Sequence, residues 1–109
     1  MIYEEPQPIT RSEAVADRTS GSRERATAAV IRVALHEADR HWAESFCLSA
    51  LQDDRNEVRA AGLTGLGHLA RRYRTASSEV VSMLQSLRSD PALGGLAEDT
   101  LDDIIVFIE

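Results

Sequence analysis

Residues 51–67, with the sequence LQDDRNEVRAAGLTGLG, contain the clearest structural pattern in the chain. Its second to fifth residues, Gln-Asp-Asp-Arg, are polar and predict a turn. After this turn, apolar and small residues recur three and four positions apart, which is the spacing of an α-helix that buries one face. The stretch therefore predicts the end of one helix, a short turn, and a second helix from about residue 56 to residue 73.

Signals for helix starts lie on both sides of this stretch. Thr10 with Glu13 is typical of a capping box, and Ser22 and Asp39 are typical N-cap residues. Together with the apolar spacing they predict six helices, at about residues 10–18, 22–37, 39–51, 56–73, 78–87 and 96–108. Because the sequence has no alternating strand pattern of any length, we predict an all-α fold.

The helices follow an internal repeat. A shift of 36 residues places the third and fourth helices on the fifth and sixth. The pairs that superpose are Leu48 with Leu84, Leu51 with Leu87, Asp54 with Asp90, Ala61 with Ala97, Thr64 with Thr100, and Leu69 with Ile105. A pair of antiparallel helices repeated at this interval is the unit of an α-solenoid, in which neighbouring units must stack to cover their apolar faces.

Residues 51–67 also resemble the HEAT-repeat signature, most specifically at Val58-Arg59 and Leu66-Gly67. Residues 80–108 keep Asp90 but have Gly94-Gly95 where that signature has its Val-Arg pair. The resemblance implies a short α-solenoid of about three antiparallel helical hairpins. We expect an extended arm at residues 1–9 and one HEAT-like domain at residues 10–109. Its approximate units are residues 10–38, 39–73 and 77–109.

The net charge of −6 is concentrated at the C-terminal end of the chain. Residues 1–88 carry equal numbers of acids and arginines, whereas residues 89–109 carry six acids and no base. This balance argues against nucleic acid and anionic membranes as partners and favours a basic protein surface. No apolar run is long enough to span a bilayer. The single cysteine, Cys47, and an N-terminus without a signal-peptide pattern predict a cytoplasmic protein.

An acidic face is the leading candidate for a binding surface. The predicted buried stripe of the sixth helix comprises Ala97, Leu101, Ile104, Ile105 and Ile108. Asp99, Asp102 and Asp103 fall largely on the opposite side of this helix, and Glu98 lies at the flank of the stripe. Two interpretations stay open: a solvated face that keeps the domain soluble, or a docking patch for a basic partner. The second helix of each hairpin would line a groove. On the fourth helix, we therefore expect an exposed side that faces the partner at Leu63, Thr64, Gly67 and Arg71.

The apolar run at residues 104–108 needs a cover, because five consecutive apolar residues face all sides of a helix. Three covers are open: the N-terminal arm with Ile2 and Tyr3, a partner protein, or a second copy of the chain. A homodimer would use Ile104, Val106, Phe107 and Ile108.

No residue pattern indicates catalysis or a cofactor. His36, His41 and Glu44 lack the spacing of a metal site, so we expect no metal. His68 is expected to pack or to line the groove, and Cys47 to be a buried, inert thiol. No phosphate loop or nucleophile elbow occurs. We therefore predict a binding module rather than an enzyme.

The size, acidity and single domain of the chain resemble the small stand-alone HEAT-like proteins that act as immunity proteins in bacterial toxin systems. This resemblance implies that the partner is a basic toxin domain, with a nuclease as the expected type, whose substrate site the acidic face would occlude. Two alternatives remain open. One is a scaffold or regulatory adaptor that binds a non-toxin partner through the same groove. The other is an enzyme of the lyase or DNA-repair kind seen on larger helical-repeat folds.

Overall fold

The computed structural model describes residues 5–108, and the side chains of residues 5–106. Within this range the chain forms six α-helices and no β-strand, which confirms the predicted all-α fold. The helices are α1 (Arg11–Arg18), α2 (Arg23–His36), α3 (Arg40–Ala50), α4 (Asn56–Tyr73), α5 (Ser78–Leu87) and α6 (Gly94–Ile108).

The three predicted N-caps are confirmed. Thr10 Oγ1 accepts a hydrogen bond from the backbone N–H of Glu13, and the Glu13 carboxylate accepts one from that hydroxyl. The side chains of Ser22 and Asp39 each accept a bond from the N–H three residues later. These bonds satisfy backbone donors that the first helical turn leaves unpaired, so each helix starts where its cap lies.

Helix α6 begins at Gly94, two residues earlier than predicted. Gly94 also lies close to the end of α5, because a Cβ atom there would lie 2.5 Å from the carbonyl oxygen of Arg88. Glycine therefore serves at this position as the residue that lets the α5–α6 connection close tightly.

The second helices of the three hairpins pack side by side. Helix α4 lies in the centre and contacts α2, α3 and α6, while α1 packs on α2 and α5 packs on α6. This arrangement is consistent with a small solenoid-like stack of helical hairpins. Since α4 touches three neighbours, most of its circumference is buried, and only a narrow strip remains for solvent or a partner.

Small residues bring α3 and α4 close together. A Cβ at Gly62 would lie 2.8 Å from the carbonyl oxygen of Cys47, and a Cβ at Gly65 would lie 2.7 Å from its Sγ atom. Both distances are too short for real contacts, so these two glycines in α4 are required by packing. Their cost in helix propensity, about 1 kcal/mol each, is offset by the close helix contact.

Arg72 and Tyr73, at the end of α4, form hydrogen bonds with the end of α2. Arg72 donates hydrogen bonds to the carbonyl oxygens of Ala34 and Glu37 at 2.8 and 3.0 Å. The single hydrogen of the Tyr73 hydroxyl is shared between the carbonyl oxygens of Ala38, at 3.0 Å, and Glu37, at 3.2 Å. These carbonyls lie at or just beyond the end of α2, where the helix provides no N–H group to bond them. Part of the basic cluster at the end of α4 therefore stabilises the end of a neighbouring helix.

The described part of the N-terminal arm lies on α2. Arg32 donates hydrogen bonds to the carbonyl oxygens of Gln7 and Pro8 at 2.7 and 2.8 Å, and Nε2 of His36 lies 2.7 Å from that of Pro6. Ile9 packs against the core. Ile2 and Tyr3, which we considered as a cover for the C-terminal apolar run, lie outside the described residues.

Two expectations for α6 are wrong. Ile104, expected at a homodimer surface, is completely buried, and Ile105, expected in the buried stripe, is 48% exposed. The helix packs with Ala97, Leu101 and Ile104 inward, so the stripe is narrower than the sequence suggested. Val106 is 68% exposed. The side chains of Phe107 and Ile108 lie outside the described residues.

Candidate functional site

A cleft between α4 and α6 collects most of the predicted partner-binding residues. Its volume is about 210 Å³. Thr64, Gly67, His68 and Arg71 of α4 form one wall, and Leu96, Asp99, Thr100 and Asp103 of α6 form the other. Five of these eight residues were predicted for a partner-binding surface: Thr64, Gly67, Arg71, Asp99 and Asp103.

Helix geometry explains why these residues meet. On each helix the lining residues are three or four positions apart, so they form one ridge along a single face. The two helices are in contact near Gly67, where a Cβ atom would lie 3.7 Å from Cγ2 of Thr100. Thr100 is buried, and its hydroxyl donates to the carbonyl oxygen of Leu96 at 2.8 Å. The hydroxyl is therefore satisfied within its own helix.

The two carboxylates of the cleft are exposed and lie one helical turn apart. Neither Asp99 nor Asp103 takes part in an ion pair with another described residue. Of the twelve acids that lie outside α6 in the described chain, eight pair with arginines. These are Asp17, Glu24, Glu37, Asp39, Glu44, Asp53, Glu57 and Asp90. Helix α6 carries four carboxylates within residues 98–103 that have no ion-pair partner among the described residues.

His68 contributes little positive charge to the cleft. Burial, with the nearby Arg71 guanidinium, lowers the pKa of His68 below its ordinary value. The imidazole is therefore neutral near pH 7 and can both donate and accept a hydrogen bond. Arg71 also lines the cleft and interacts within the chain.

The structure places the other predicted residues elsewhere. Leu63 is completely buried, so its expected place on the exposed side of α4 is wrong. It lies one turn before Gly67 and therefore faces α6, a neighbour that the spacing within α4 cannot reveal. Glu98 and Asp102 are exposed on α6 but do not line the cleft. Leu96 and Thr100, in contrast, line the cleft and were not predicted to do so.

The other features that bear on chemistry are the Cys47 thiol and the arrangement of possible metal ligands. Cys47 is completely buried, and burial, with a smaller contribution from the Glu44 charge, raises the pKa of its thiol to about 12. No group of three potential metal ligands comes together among the residues that the structure describes. In the same range, no helix has the length and apolar character needed to cross a membrane.

The helices and the cleft define a small all-α protein of stacked helical hairpins. A comparison with solved structures finds a protein that is similar in both fold and sequence. A chain in the crystal structure of a CDI complex from Cupriavidus taiwanensis LMG 19424 matches it with a TM-score of 0.86 and 33% sequence identity. The match covers 100% of this chain and 99% of that chain. The protein therefore belongs to the same family as that chain of the Cupriavidus complex. No protein-family model and no curated protein matches the sequence.

Proposed function

We propose that this protein is the immunity component of a contact-dependent inhibition system and that it binds and occludes a cognate toxin domain. The observation that carries the proposal is the full-length match to a chain of a CDI complex, at 33% identity and a TM-score of 0.86. Such a match supports a protein as the partner. The acidity and small size of the chain support the inhibitor role within the complex.

The acidic face of α6 is the surface that we assign to toxin binding. Asp99, Asp102 and Asp103 are exposed there, and the whole net charge of −6 arises in the C-terminal fifth of the chain. A nuclease binds phosphates through arginine and lysine, so its active site is the kind of surface that such carboxylates attract. The inhibitor then acts by covering this site in the bacterial cytoplasm, by binding and without catalysis of its own.

The experiment uses the toxin domain encoded beside the gene for this chain, as a catalytically inactivated variant for binding and as the active form for growth. We expect the protein to rescue cells that express the active toxin and to bind the inactive form with an affinity that falls as salt rises. Absence of both rescue and binding would exclude the immunity function.

A triple variant tests the assigned surface. Replacing Asp99, Asp102 and Asp103 with Asn removes three charges without changing side-chain size. We expect the association rate to fall by about tenfold or more, because charges on this surface steer the encounter with a basic partner. Unchanged association would move the binding surface away from α6.

A regulatory adaptor is the second candidate function. The exposed apolar side chains Ile105 and Val106, 48% and 68% accessible, favour it because a partner held by them would bind through apolar contacts. Binding of that kind persists at high salt, and the bound protein would not be toxic. The salt series above therefore separates the two functions.

A further inference from the structure

The cleft between α4 and α6 differs from the rest of the acidic face because residues of two helices line it. Its volume of about 210 Å³ lies between two helices, with Gly67 on one side and Thr100 on the other. Glu98 and Asp102 carry the same charges on the same helix but stand outside it. A partner can therefore touch Glu98 and Asp102 only from the surface, whereas a side chain can enter between Asp99 and α4.

The lining of the cleft favours a cation with an apolar stem. Asp99 and Asp103 lie one turn apart and have no ion-pair partner among the described residues. Leu96 supplies an apolar surface beside them. A side chain that enters the cleft therefore needs an apolar stem beside Leu96 and a positive group that reaches the two carboxylates. Long basic side chains have this form, since they pack their methylene groups on apolar surfaces.

Arginine fits this arrangement better than lysine. A guanidinium is planar and carries five N–H donors, so it can reach both carboxylates at once, whereas an ammonium group is a compact point charge. The half-buried His68, neutral near pH 7, offers a further acceptor to those donors. Arg71 supplies one positive charge to the cleft, so the charges of Asp99, Asp103 and Arg71 leave it at net −1.

Gly67 keeps the cleft open. A Cβ atom there would make only an ordinary contact with Thr100, at 3.7 Å, so packing does not demand glycine at this position, unlike at Gly62 and Gly65. A longer side chain at residue 67 would instead extend into the cleft.

We propose that the α4–α6 cleft receives an arginine side chain of the bound toxin and holds its guanidinium between Asp99 and Asp103. The identity of the partner as a toxin rests on the proposed function, whereas the preference of the cleft for arginine does not. The cleft is the specificity-determining part of the acidic face, and the acids outside it only steer the partner.

The test uses Nα-acetyl-L-arginine amide as the probe and follows backbone amide signals of the full chain by NMR. We expect saturable shifts centred on Gly67, Thr100 and Asp103, with a dissociation constant in the millimolar range. Nα-acetyl-L-lysine amide should bind several-fold more weakly. Equal binding of the two probes, or shifts spread evenly along α6, would overturn the proposal.

Two pairs of charge variants make a matched control. Asp99→Asn with Asp103→Asn should weaken arginine-amide binding by about tenfold or more, because both charge-assisted acceptors are lost. Glu98→Gln with Asp102→Asn removes the same charge at the same spacing outside the cleft and should change binding by less than about twofold. Equal effects of the two pairs would show general attraction to acid and reject the cleft.

Filling the cleft without changing its charge gives a second, independent readout. Gly67→Leu should abolish the saturable shifts. If this variant unfolds, Thr64→Leu fills the cleft instead, from an exposed position on the same wall. Undiminished arginine binding by a folded variant would overturn the proposal. Failure of the toxin to bind, with arginine-amide binding intact, would instead reject the proposed function and leave the cleft standing.

Discussion

Nη2 of Arg59, in the first turn of α4, donates a hydrogen bond of 2.7 Å to Oδ2 of Asp90, in the connection between α5 and α6. Oδ1 of the same carboxylate accepts bonds from the backbone N–H groups of Ala92 and Leu93, both at 2.9 Å. The Arg59 guanidinium and these two N–H groups lower the pKa of Asp90. One carboxylate therefore shapes the turn before α6 and fastens the last hairpin to the central one.

Loss of the Arg59–Asp90 ion pair should weaken the packing of the last hairpin on α4 and lower the stability of the protein. We expect Arg59→Met, which keeps an apolar stem, and Asp90→Asn each to lower the melting temperature by a few degrees. The double variant should cost less than the sum of the two, because both changes remove one interaction. Thermal melts by circular dichroism provide the measurement, with Arg88→Met as a control for loss of an exposed arginine. Strict additivity would show that the pair contributes nothing.

Asp53 predicts how stability depends on pH. The Arg55 side chain donates to both of its carboxylate oxygens, at 2.9 and 3.0 Å, and Arg18 adds a bond of 2.9 Å. Hydrogen bonding to Arg55, assisted by the Arg18 charge, lowers the pKa of Asp53 from 3.8 to about 2. Because the folded pKa is the lower one, the stabilisation is complete above about pH 4 and is lost as the pH falls through about 2.

The difference between wild type and Asp53→Asn isolates this contribution from other carboxylates. Wild type should lose about 2 kcal/mol more than the variant between about pH 5 and pH 2, since the variant has no group to protonate. Urea unfolding at several pH values measures it. Parallel pH profiles for the two proteins would mean that the network around Asp53 does not stabilise the fold.

Gly65 should not tolerate a methyl group. Its Cβ would lie 2.7 Å from Sγ of Cys47, so we expect Gly65→Ala to destabilise the protein by about 1–3 kcal/mol despite better helix propensity. Cys47→Ala removes the clashing atom, so the double variant should lose less than the two single changes combined. Gly95→Ala, where nothing lies within 4 Å of the new atom, is the control and should be neutral or slightly stabilising. A neutral Gly65→Ala would contradict the close α3–α4 contact.

Arg74 occupies a backbone conformation suited to glycine. It caps α4 with φ 56° and ψ 34°, in the left-handed region. We expect Arg74→Gly to raise the free energy of unfolding by about 0.5–1 kcal/mol, because a side chain is disfavoured there. Arg74→Ala loses the same charge but keeps the Cβ atom, and should give no such gain. Denaturant unfolding of the three proteins distinguishes backbone relief from a charge effect.

The helix boundaries could be predicted because they depend on residues close in sequence. Thr10, Ser22 and Asp39 cap the N–H groups three residues later, so local sequence contains all the information needed. The repeat between the third-fourth and fifth-sixth helices indicated the pairing of helices in the same way. Gly94 is the exception, because the low helix propensity of glycine gave no sign that α6 begins there.

The cleft could be predicted only in part, because it depends on how two helices rotate against each other. Spacing identified the ridge of Thr64 and Gly67 and the ridge of Asp99 and Asp103, but it could not show that the two ridges face one another. The same limitation explains the error at Leu63. A helix with three neighbours has little exposed surface, and the sequence of the helix alone does not indicate how many other helices pack on it.

Cys47 offers a direct probe of the core. The thiol is completely buried against α4, and burial, with the Glu44 charge, raises its pKa to about 12. Because the thiolate is the reactive form, the native protein should resist iodoacetamide for hours at pH 7 and gain little reactivity at pH 9. In increasing urea the labelling rate should follow the unfolded fraction. Gly65→Ala, which presses on this sulfur, should label faster than wild type at the same urea concentration. Rapid stoichiometric labelling of native wild type would show that the α3–α4 contact opens without global unfolding.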